Sequence, residues 1–262
     1  MKKIIFLLLF LSVGFASNNN YVLVKSLPES CTFLTTDNLQ NVYLVKNDLL
    51  EEYDANGNLL KTYTNKNFGN ISFVDATNPL KLVVFYSDFS QIVFLDNTLS
   101  ENGSPISLTD LGLAQAQLIC SSHNNGTWIY NPQNFGLLRI DQNLQTTQQT
   151  GNISQMLSIT MNPNYLIEYN SKVYLNNPAT GILVFDVYGT YSETIPIKNL
   201  TNFQVNGDKL FYFSENKFCS FNTKTLEQQN YTLPDTSIIS LNIQKDRLYL
   251  QKKNEVDIYK AN

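Results

Sequence analysis

The chain has 262 residues and a formal net charge of −4, and only 15% of its residues are charged, against roughly a quarter in ordinary soluble domains. No cluster of Lys or Arg interrupts it, so nucleic acid and anionic membrane surfaces, which attract dense basic patches, are excluded as expected partners. Its polarity comes largely from Asn, Gln, Thr and Ser, which suit the solvent-facing side of a β-sheet.

The N-terminal segment has the layout of a Sec-type signal peptide. Two lysines precede an uninterrupted apolar run over residues 4–11, and small residues follow up to Ala16. The run is shorter than the roughly 20 residues that span a hydrocarbon core, which argues against the alternative, a membrane anchor. We expect cleavage after Ala16. Residues 1–16 are then the signal peptide, and residues 17–262 form one domain, exported to the bacterial periplasm or beyond the cell without direct membrane insertion.

Downstream, short apolar segments alternate with turns rich in Asn, Asp, Gly and Ser, and this pattern predicts strands with almost no helix. Residues 21–28 form an isolated predicted strand. Residues 31–64 contain four successive strand patterns, CTFLTT, NVYLVK, LLEEYD and NLLKTYT, with an ANGN hairpin signal between the last two. The first repeat is therefore predicted to be a four-stranded sheet.

Two landmarks recur every 36 to 45 residues. An apolar residue followed by a polar residue and a turn marks a strand end at six aligned positions: Asp54, Asp96, Asp141, Asp186, Asn222 and Lys260. An aromatic residue lies ten to twelve positions before each: Tyr43, Phe85, Tyr130, Tyr174, Tyr212 and Tyr249. Because they repeat, the acids are predicted to stabilise turns, and the aromatics, together with Trp128, to fill the core.

A period near 40 residues with four strands per unit is typical of β-propeller blades. The sixth repeat lacks a fourth strand, and the isolated strand at residues 21–28 can supply it, which closes the ring and covers a sheet edge. We therefore predict an all-β, six-bladed β-propeller whose last blade is closed by the N-terminal strand. A double-sheet sandwich or two small β domains are the alternatives, but neither requires a strict repeat.

The pattern resembles six-bladed propellers of the broad NHL and YVTN-like kind, in its architecture and in the D-x-x-G-like turn of YDANGNL. No blade carries a WD dipeptide or an AxDxDxG metal-binding turn, so the resemblance implies a fold and no activity. Some lactonase-type and hydrolase-type relatives hold calcium in the central channel. The positions that the resemblance points to here are Asp37, Asp75, Glu168 and Asp208. Three of them fall in turns, where carboxylates cap the backbone, which leaves Glu168 as the candidate metal ligand.

Catalytic chemistry has little support in the sequence. The single histidine, His123, lies in the turn SSHNNG and is predicted to be a solvated loop residue. No HExxH, GxSxG or Walker motif is present, so we predict no catalytic residue and no cofactor.

The three cysteines, Cys31, Cys120 and Cys219, lie in apolar stretches without a CxxC pair. They are predicted to be buried thiols, with a single disulfide as the alternative.

Connections between blades and between second and third strands emerge on one face of a propeller, and here they contain apolar residues. Those predicted to bind a partner are Phe68, Phe89, Leu111, Leu113, Phe135, Met156 and Met161. The last two belong to a long insert at residues 150–163, which could instead fold over a blade and hide its own side chains. The sequence thus favours a non-enzymatic protein–protein interaction module, such as an accessory subunit of an envelope assembly. The alternative is an enzyme or small-ligand binder with a site, holding calcium in one form, in the axial channel.

Overall fold

A computed structural model describes residues 21–262, and the predicted signal peptide at residues 1–16 lies outside them. Within these residues the strands form six antiparallel sheets of four strands each. The first strand is β1 (Tyr21–Leu27). The next five sheets follow one another along the chain. Blade 1 contains β2 (Phe33–Thr36), β3 (Val42–Lys46), β4 (Leu49–Tyr53) and β5 (Leu59–Thr64). Blade 2 contains β6 (Phe73–Asp75), β7 (Leu82–Tyr86), β8 (Gln91–Leu95) and β9 (Ile106–Ser107). Blade 3 contains β10 (Leu118–Ser121), β11 (Thr127–Asn131), β12 (Gly136–Ile140) and β13 (Thr146–Gln149). Blade 4 contains β14 (Tyr165–Tyr169), β15 (Lys172–Asn177), β16 (Gly181–Asp186) and β17 (Tyr191–Ile195). Blade 5 contains β18 (Gln204–Asn206), β19 (Lys209–Ser214), β20 (Lys217–Asn222) and β21 (Gln228–Tyr231).

The sixth blade closes the ring. It contains β22 (Ser240–Gln244), β23 (Arg247–Gln251) and β24 (Val256–Ala261), and β1 is its fourth strand. β1 pairs with β24 from Tyr21 opposite Ala261 to Leu27 opposite Val256. The predicted six-bladed propeller with N-terminal closure is therefore confirmed.

Burial follows the position of a strand within its blade. Strands β7, β11 and β12 are buried at all five positions, because both of their faces pack against neighbouring blades. The outer strand β13 is largely exposed and polar. The aromatic landmarks lie in the second strands and are all buried, as predicted: Tyr43, Phe85, Tyr130, Tyr174, Tyr212 and Tyr249. Trp128 is fully buried among residues of blades 3 and 4.

The aligned acids stabilise turns between third and fourth strands, as their repetition predicted. The Asp54 carboxylate accepts the backbone N–H groups of residues two and four positions later, and the same pattern recurs at Asp96, Asp141 and Asp186. The Thr98 hydroxyl and the backbone N–H groups of Thr98 and Ser100 hold the pKa of Asp96 below its usual value. Each turn is thus fixed by its own side chain.

Short helices interrupt the strand pattern at three connections. Two are 3-10 helices, Lys66–Phe68 and Ser87–Phe89, and the third is α1 (Ile153–Leu157). The Asn152 side chain caps α1 by accepting the backbone N–H of Gln155. None of the helices in residues 21–262 is long and apolar enough to cross a bilayer.

The cysteines are free thiols, so the alternative of a disulfide is wrong. Cys120 and Cys219 are buried as predicted, whereas Cys31 is only partly covered. Burial raises the pKa of the Cys31 thiol to about 11 and that of the Cys120 thiol well above its usual value.

Candidate functional site

The antiparallel order of each blade divides its connections between two faces. We call the face with the interblade connections and the links between second and third strands the loop face. The opposite face, with the links between first and second strands and between third and fourth strands, is the turn face. Candidate functional residues lie on both.

On the loop face, three of the apolar residues predicted from the sequence are exposed. Phe89 is 55% exposed, Met156 is 48% exposed and Phe135 is 38% exposed. They lie in the β7–β8 connection, in α1 and in the β11–β12 connection, which belong to blades 2 and 3 and the link to blade 4. All three are exposed on the loop face of successive parts of the ring, and we call them the apolar triad.

The other predicted loop-face residues contribute to the core. Leu113 and Met161 are each 8% exposed and belong to hydrophobic clusters between blades. Leu111 is half-buried against the cluster between blades 2 and 3. Phe68 is half-buried, and its ring centroid lies 5.5 Å from that of Tyr86. The insert at residues 150–163 thus folds back with Ile153 and Met161 inside, but it leaves Met156 outside.

Local contacts position two residues of the apolar triad, Phe135 and Phe89. Phe135 has a φ of 52°, in the left-handed region that bulky residues seldom adopt, and its carbonyl oxygen accepts the backbone N–H of Ile153. The Phe89 ring lies over Gly69, where an added Cβ would come within 3.2 Å of the ring. A strained backbone that displays an aromatic ring is a reason to suspect a functional role.

The connections that contain the apolar triad are acidic, whereas the connection between blades 1 and 2, whose Gly69 lies against the Phe89 ring, contains the exposed Lys66. The four connections at residues 87–90, 108–117, 132–135 and 150–164 contain two carboxylates, Asp88 and Asp110, and no Lys or Arg. Both carboxylates belong to exposed residues.

On the turn face, the Glu168 carboxylate joins blade 4 to blade 3. It lies near the end of the innermost strand β14 and accepts four hydrogen bonds from blade 3. Oε1 accepts the backbone N–H of His123 at 3.1 Å and faces its Nδ1 at 3.0 Å. Oε2 accepts the hydroxyl of Ser122 at 2.5 Å and the indole N–H of Trp128 at 2.8 Å.

This arrangement determines the tautomer of His123. A carboxylate only accepts hydrogen bonds, so the ring proton must lie on Nδ1 for the bond to Glu168 to form. In the neutral ring Nε2 then carries a lone pair. Nε2 makes no hydrogen bond to any group in residues 21–262, so it is free to accept one from a ligand.

Arg139, in β12, also holds the turn that contains Ser122 and His123. Its buried guanidinium donates from Nε to the Ser122 hydroxyl at 2.7 Å and from Nη2 to the carbonyl oxygen of His123. Gly126 permits this approach, because an added Cβ would press on the guanidinium and lie 2.8 Å from the carbonyl oxygen of Ile140. Ser122 and His123 are therefore held at both ends.

A cleft of about 180 Å³ lies beside His123, between blades 2 and 3. Its lining includes the polar residues Lys81, Asn78 and Asn125, the carboxylate of Glu168, and the apolar residues Val83 and Phe94. Together with His123 it is the candidate small-ligand site of the turn face.

The carboxylates considered as calcium ligands have separate roles. Asp37 accepts the backbone N–H groups of Leu39 and Asn41. Asp75 accepts those of Thr77 and Ser121, and Asp208 pairs with Lys224 at 3.0 Å. Residues 21–262 contain no group of three or more His, Cys, Asp or Glu side chains placed to hold a metal ion.

The sequence does not indicate that His123 and Glu168 meet, since 45 positions separate them. It predicts that Trp128 lies in the core but predicts no role for the indole N–H, and it does not single out Lys81, Ser122 or Arg139. The one indication in the sequence is the position of Glu168 near the end of an innermost strand, where a side chain meets the first turn of the preceding blade.

Comparison with solved structures supports the architecture. The WD40 domain of Pan2 from Neurospora crassa superposes with a TM-score of 0.67 at 7% identity, over 92% of this chain and 95% of that one. Virginiamycin B lyase from Staphylococcus aureus, crystallised with quinupristin, gives 0.57 at 13% identity, over 87% and 80%. A chain of the mitotic checkpoint complex gives 0.66 at 8% identity, over 100% and 99%.

No protein-family model and no curated protein matches the sequence. At these identities the structural likeness establishes the fold alone. The chain is a six-bladed β-propeller that resembles virginiamycin B lyase in architecture, and its structural neighbours include both a WD40 domain and a lyase.

Proposed function

We propose that this protein is an exported, non-enzymatic propeller that binds a protein partner through its loop face, as an accessory subunit of an envelope assembly. The observation that carries the proposal is the apolar triad. Phe89, Phe135 and Met156 are exposed on the loop face, in non-repeating connections of blades 2 and 3 and of the link to blade 4. Large apolar side chains grouped on a surface are typical of the centre of a protein interface.

The surrounding charge indicates the chemistry of the partner. Asp88, adjacent to Phe89 in the chain, and Asp110 lie in loop-face connections that contain no cation, although Lys66 lies in the connection that contacts Phe89. A partner segment that presents large apolar side chains next to Lys or Arg would match both features. The occurrence of similar propellers in a WD40 domain and in the mitotic checkpoint complex is consistent with a role in assembly.

The test compares two triple variants of the mature protein. The first is Phe89→Asp, Phe135→Asp and Met156→Asp on the loop face. The second is Leu39→Asp, Tyr188→Asp and Leu226→Asp, which replaces three exposed apolar residues on the turn face. The partner is captured from the native envelope with the wild-type protein, and its affinity for each variant is then measured with purified components.

We expect the loop-face variant to lose at least about tenfold in affinity, because burying three carboxylates in an apolar contact is unfavourable, whereas the turn-face variant keeps its affinity. Both variants should unfold at the wild-type temperature. The wild-type affinity should fall as salt rises, and Asp88→Lys should weaken it further. A partner that binds the loop-face variant as well as the wild type would refute the proposal.

Export has its own test. Cell fractionation should place the protein outside the cytoplasm, and N-terminal sequencing of that material should begin at Ser17, directly after the small residues that a signal peptidase accepts. Cytoplasmic protein that retains Met1 would contradict this part of the proposal.

A further inference from the structure

The cleft on the turn face holds a cation without a carboxylate partner. In residues 21–262 no carboxylate oxygen lies within 4.0 Å of Lys81 Nζ. The ammonium lies instead 4.1 Å from the centroid of the Phe94 ring and 3.4 Å from the carbonyl oxygen of Asn125. Burial lowers the pKa of Lys81, which reflects the partial loss of water around a charge that has no counter-ion. An anion in the cleft would supply that counter-ion.

The same cleft also contains a fixed acceptor, the Nε2 atom of His123. His123 is held by two bonds to Glu168, and Glu168 is itself held by Ser122 and Trp128. In the neutral ring, the lone pair on His123 Nε2 is therefore positioned before any ligand arrives. Such preorganisation lowers the entropy cost of binding.

A structural link between blades accounts for Glu168 but not for the side chains of His123 and Lys81. Asp75 links blades 2 and 3 through one carboxylate and the backbone N–H of Ser121, at 2.7 Å. Glu168 makes the equivalent link between blades 4 and 3 with the backbone N–H of His123. The imidazole of His123 and the ammonium of Lys81 are not needed for such a link, so they remain to be explained.

The charge of the lining limits the ligand more than its size does, because this cleft of about 180 Å³ adjoins a second cleft of about 450 Å³ that shares Lys81, Phe94 and Asn125. One cation suits a single carboxylate, whereas a doubly charged phosphate is usually met by several donors or cations. Val83 and Phe94 offer apolar contacts for a short carbon chain.

We propose that this cleft binds a short hydroxy- or amino-carboxylic acid. The ligand carboxylate pairs with Lys81 Nζ, and its hydroxyl or amino group donates to His123 Nε2. Asn78 and Asn125 line the cleft within reach of the same polar groups. The site lies on the face opposite the proposed protein interface and does not depend on it.

The single tryptophan of the chain provides the readout. Because Trp128 donates to Glu168, which holds His123, its emission reports on this part of the cleft. The mature protein is titrated with lactate, glycolate, glycine, alanine and serine up to about 10 mM. Acetate, 1,2-propanediol and inorganic phosphate are the comparison compounds. Backbone NMR shifts locate the binding site.

We expect at least one hydroxy or amino acid to change Trp128 emission and to shift resonances of residues 77–81 and 122–126. Acetate should bind more weakly and propanediol not at all. Lys81→Met should weaken binding by about tenfold or more, because a charge-assisted hydrogen bond is lost, and His123→Ala should remove the preference over acetate. Lys172→Met, at an exposed lysine of blade 4, is the matched control.

Three results would overturn the proposal. They are the absence of binding across the whole panel, unchanged affinity in Lys81→Met, and resonance shifts confined to other parts of the protein. Stronger binding of phosphate than of every carboxylic acid would show an inorganic anion site instead. Thermal unfolding of each variant verifies that a loss of binding does not reflect a loss of fold.

Discussion

The two faces of this propeller are built differently. On the turn face, the links between third and fourth strands repeat one solution, in which an Asp side chain caps its own turn. On the loop face, the connections vary in length and contain short helices and exposed apolar side chains. The turn-face cleft is an exception, since its histidine is held by a neighbouring blade. Departures from the repeat therefore point to candidate function on both faces.

The largest expected effect lies at the closure of the ring, on which both faces depend. Lys252 Nζ lies 2.5 Å from Asp257 and 2.6 Å from Asp235, and Asp257 also accepts the hydroxyl of Ser26 in β1. Although burial acts to lower the pKa of Lys252, the hydrogen bonds to these carboxylates raise it. We expect Lys252→Met to lower the free energy of unfolding by about 3–5 kcal/mol, because Asp257 is left buried without a cation.

Urea denaturation measures this loss. The matched variant is Lys224→Met, which breaks an exposed pair with Asp208 and should cost less than about 1 kcal/mol. Equal losses in the two variants would show that the cluster around Lys252 does not secure the closure.

The next effect concerns the contacts of Arg139 with Ser122 and His123. Gly126→Ala places a Cβ against the Arg139 guanidinium and 2.8 Å from the carbonyl oxygen of Ile140. We expect a loss of about 1–3 kcal/mol in the free energy of unfolding, as for other overpacked sites, together with a changed Trp128 emission. Gly112→Ala, whose Cβ meets no atom within 4 Å but whose φ is +72°, measures the cost of backbone strain alone. Unchanged emission in Gly126→Ala would mean that displacing the Arg139 guanidinium does not disturb the contacts of Glu168 with Trp128 and His123.

A smaller effect is expected on the loop face. Phe135→Gly removes an exposed ring and relieves a left-handed backbone, so the free energy of unfolding should change by less than about 1 kcal/mol. Binding of the proposed partner should nevertheless weaken. Urea denaturation and affinity measurements on the same preparation separate the two effects. A loss above about 2 kcal/mol would identify the ring as part of the scaffold.

The smallest effect is the pH dependence of the repeated turns. Because the pKa of Asp96 is lowered in the folded protein, its contribution to stability is present above its unfolded pKa and is lost as pH falls through the folded value. Asp96→Asn should therefore narrow the difference in urea midpoint between about pH 7 and about pH 3. An unchanged difference would show that this turn contributes nothing to acid unfolding.

Much of the fold could be predicted from local pattern. The turn acids from Asp54 to Asp186 identify the blades because each caps its own turn, and the aromatic residues from Tyr43 to Tyr249 identify them because every blade buries one at the same position. The loop face was predicted less completely. Composition alone could not show that Leu113 and Met161 pack inward while Phe89 and Met156 stay exposed.

The sequence by itself therefore determined the strand periodicity, the count of six blades and the chemistry of the turns. These features rest on contacts between residues a few positions apart, or on a repeat that makes distant positions equivalent. Only the tertiary structure decided which loop residues are buried and that Glu168 holds His123. Those contacts join blades at unrelated sequence positions, where neither spacing nor residue type marks a partner.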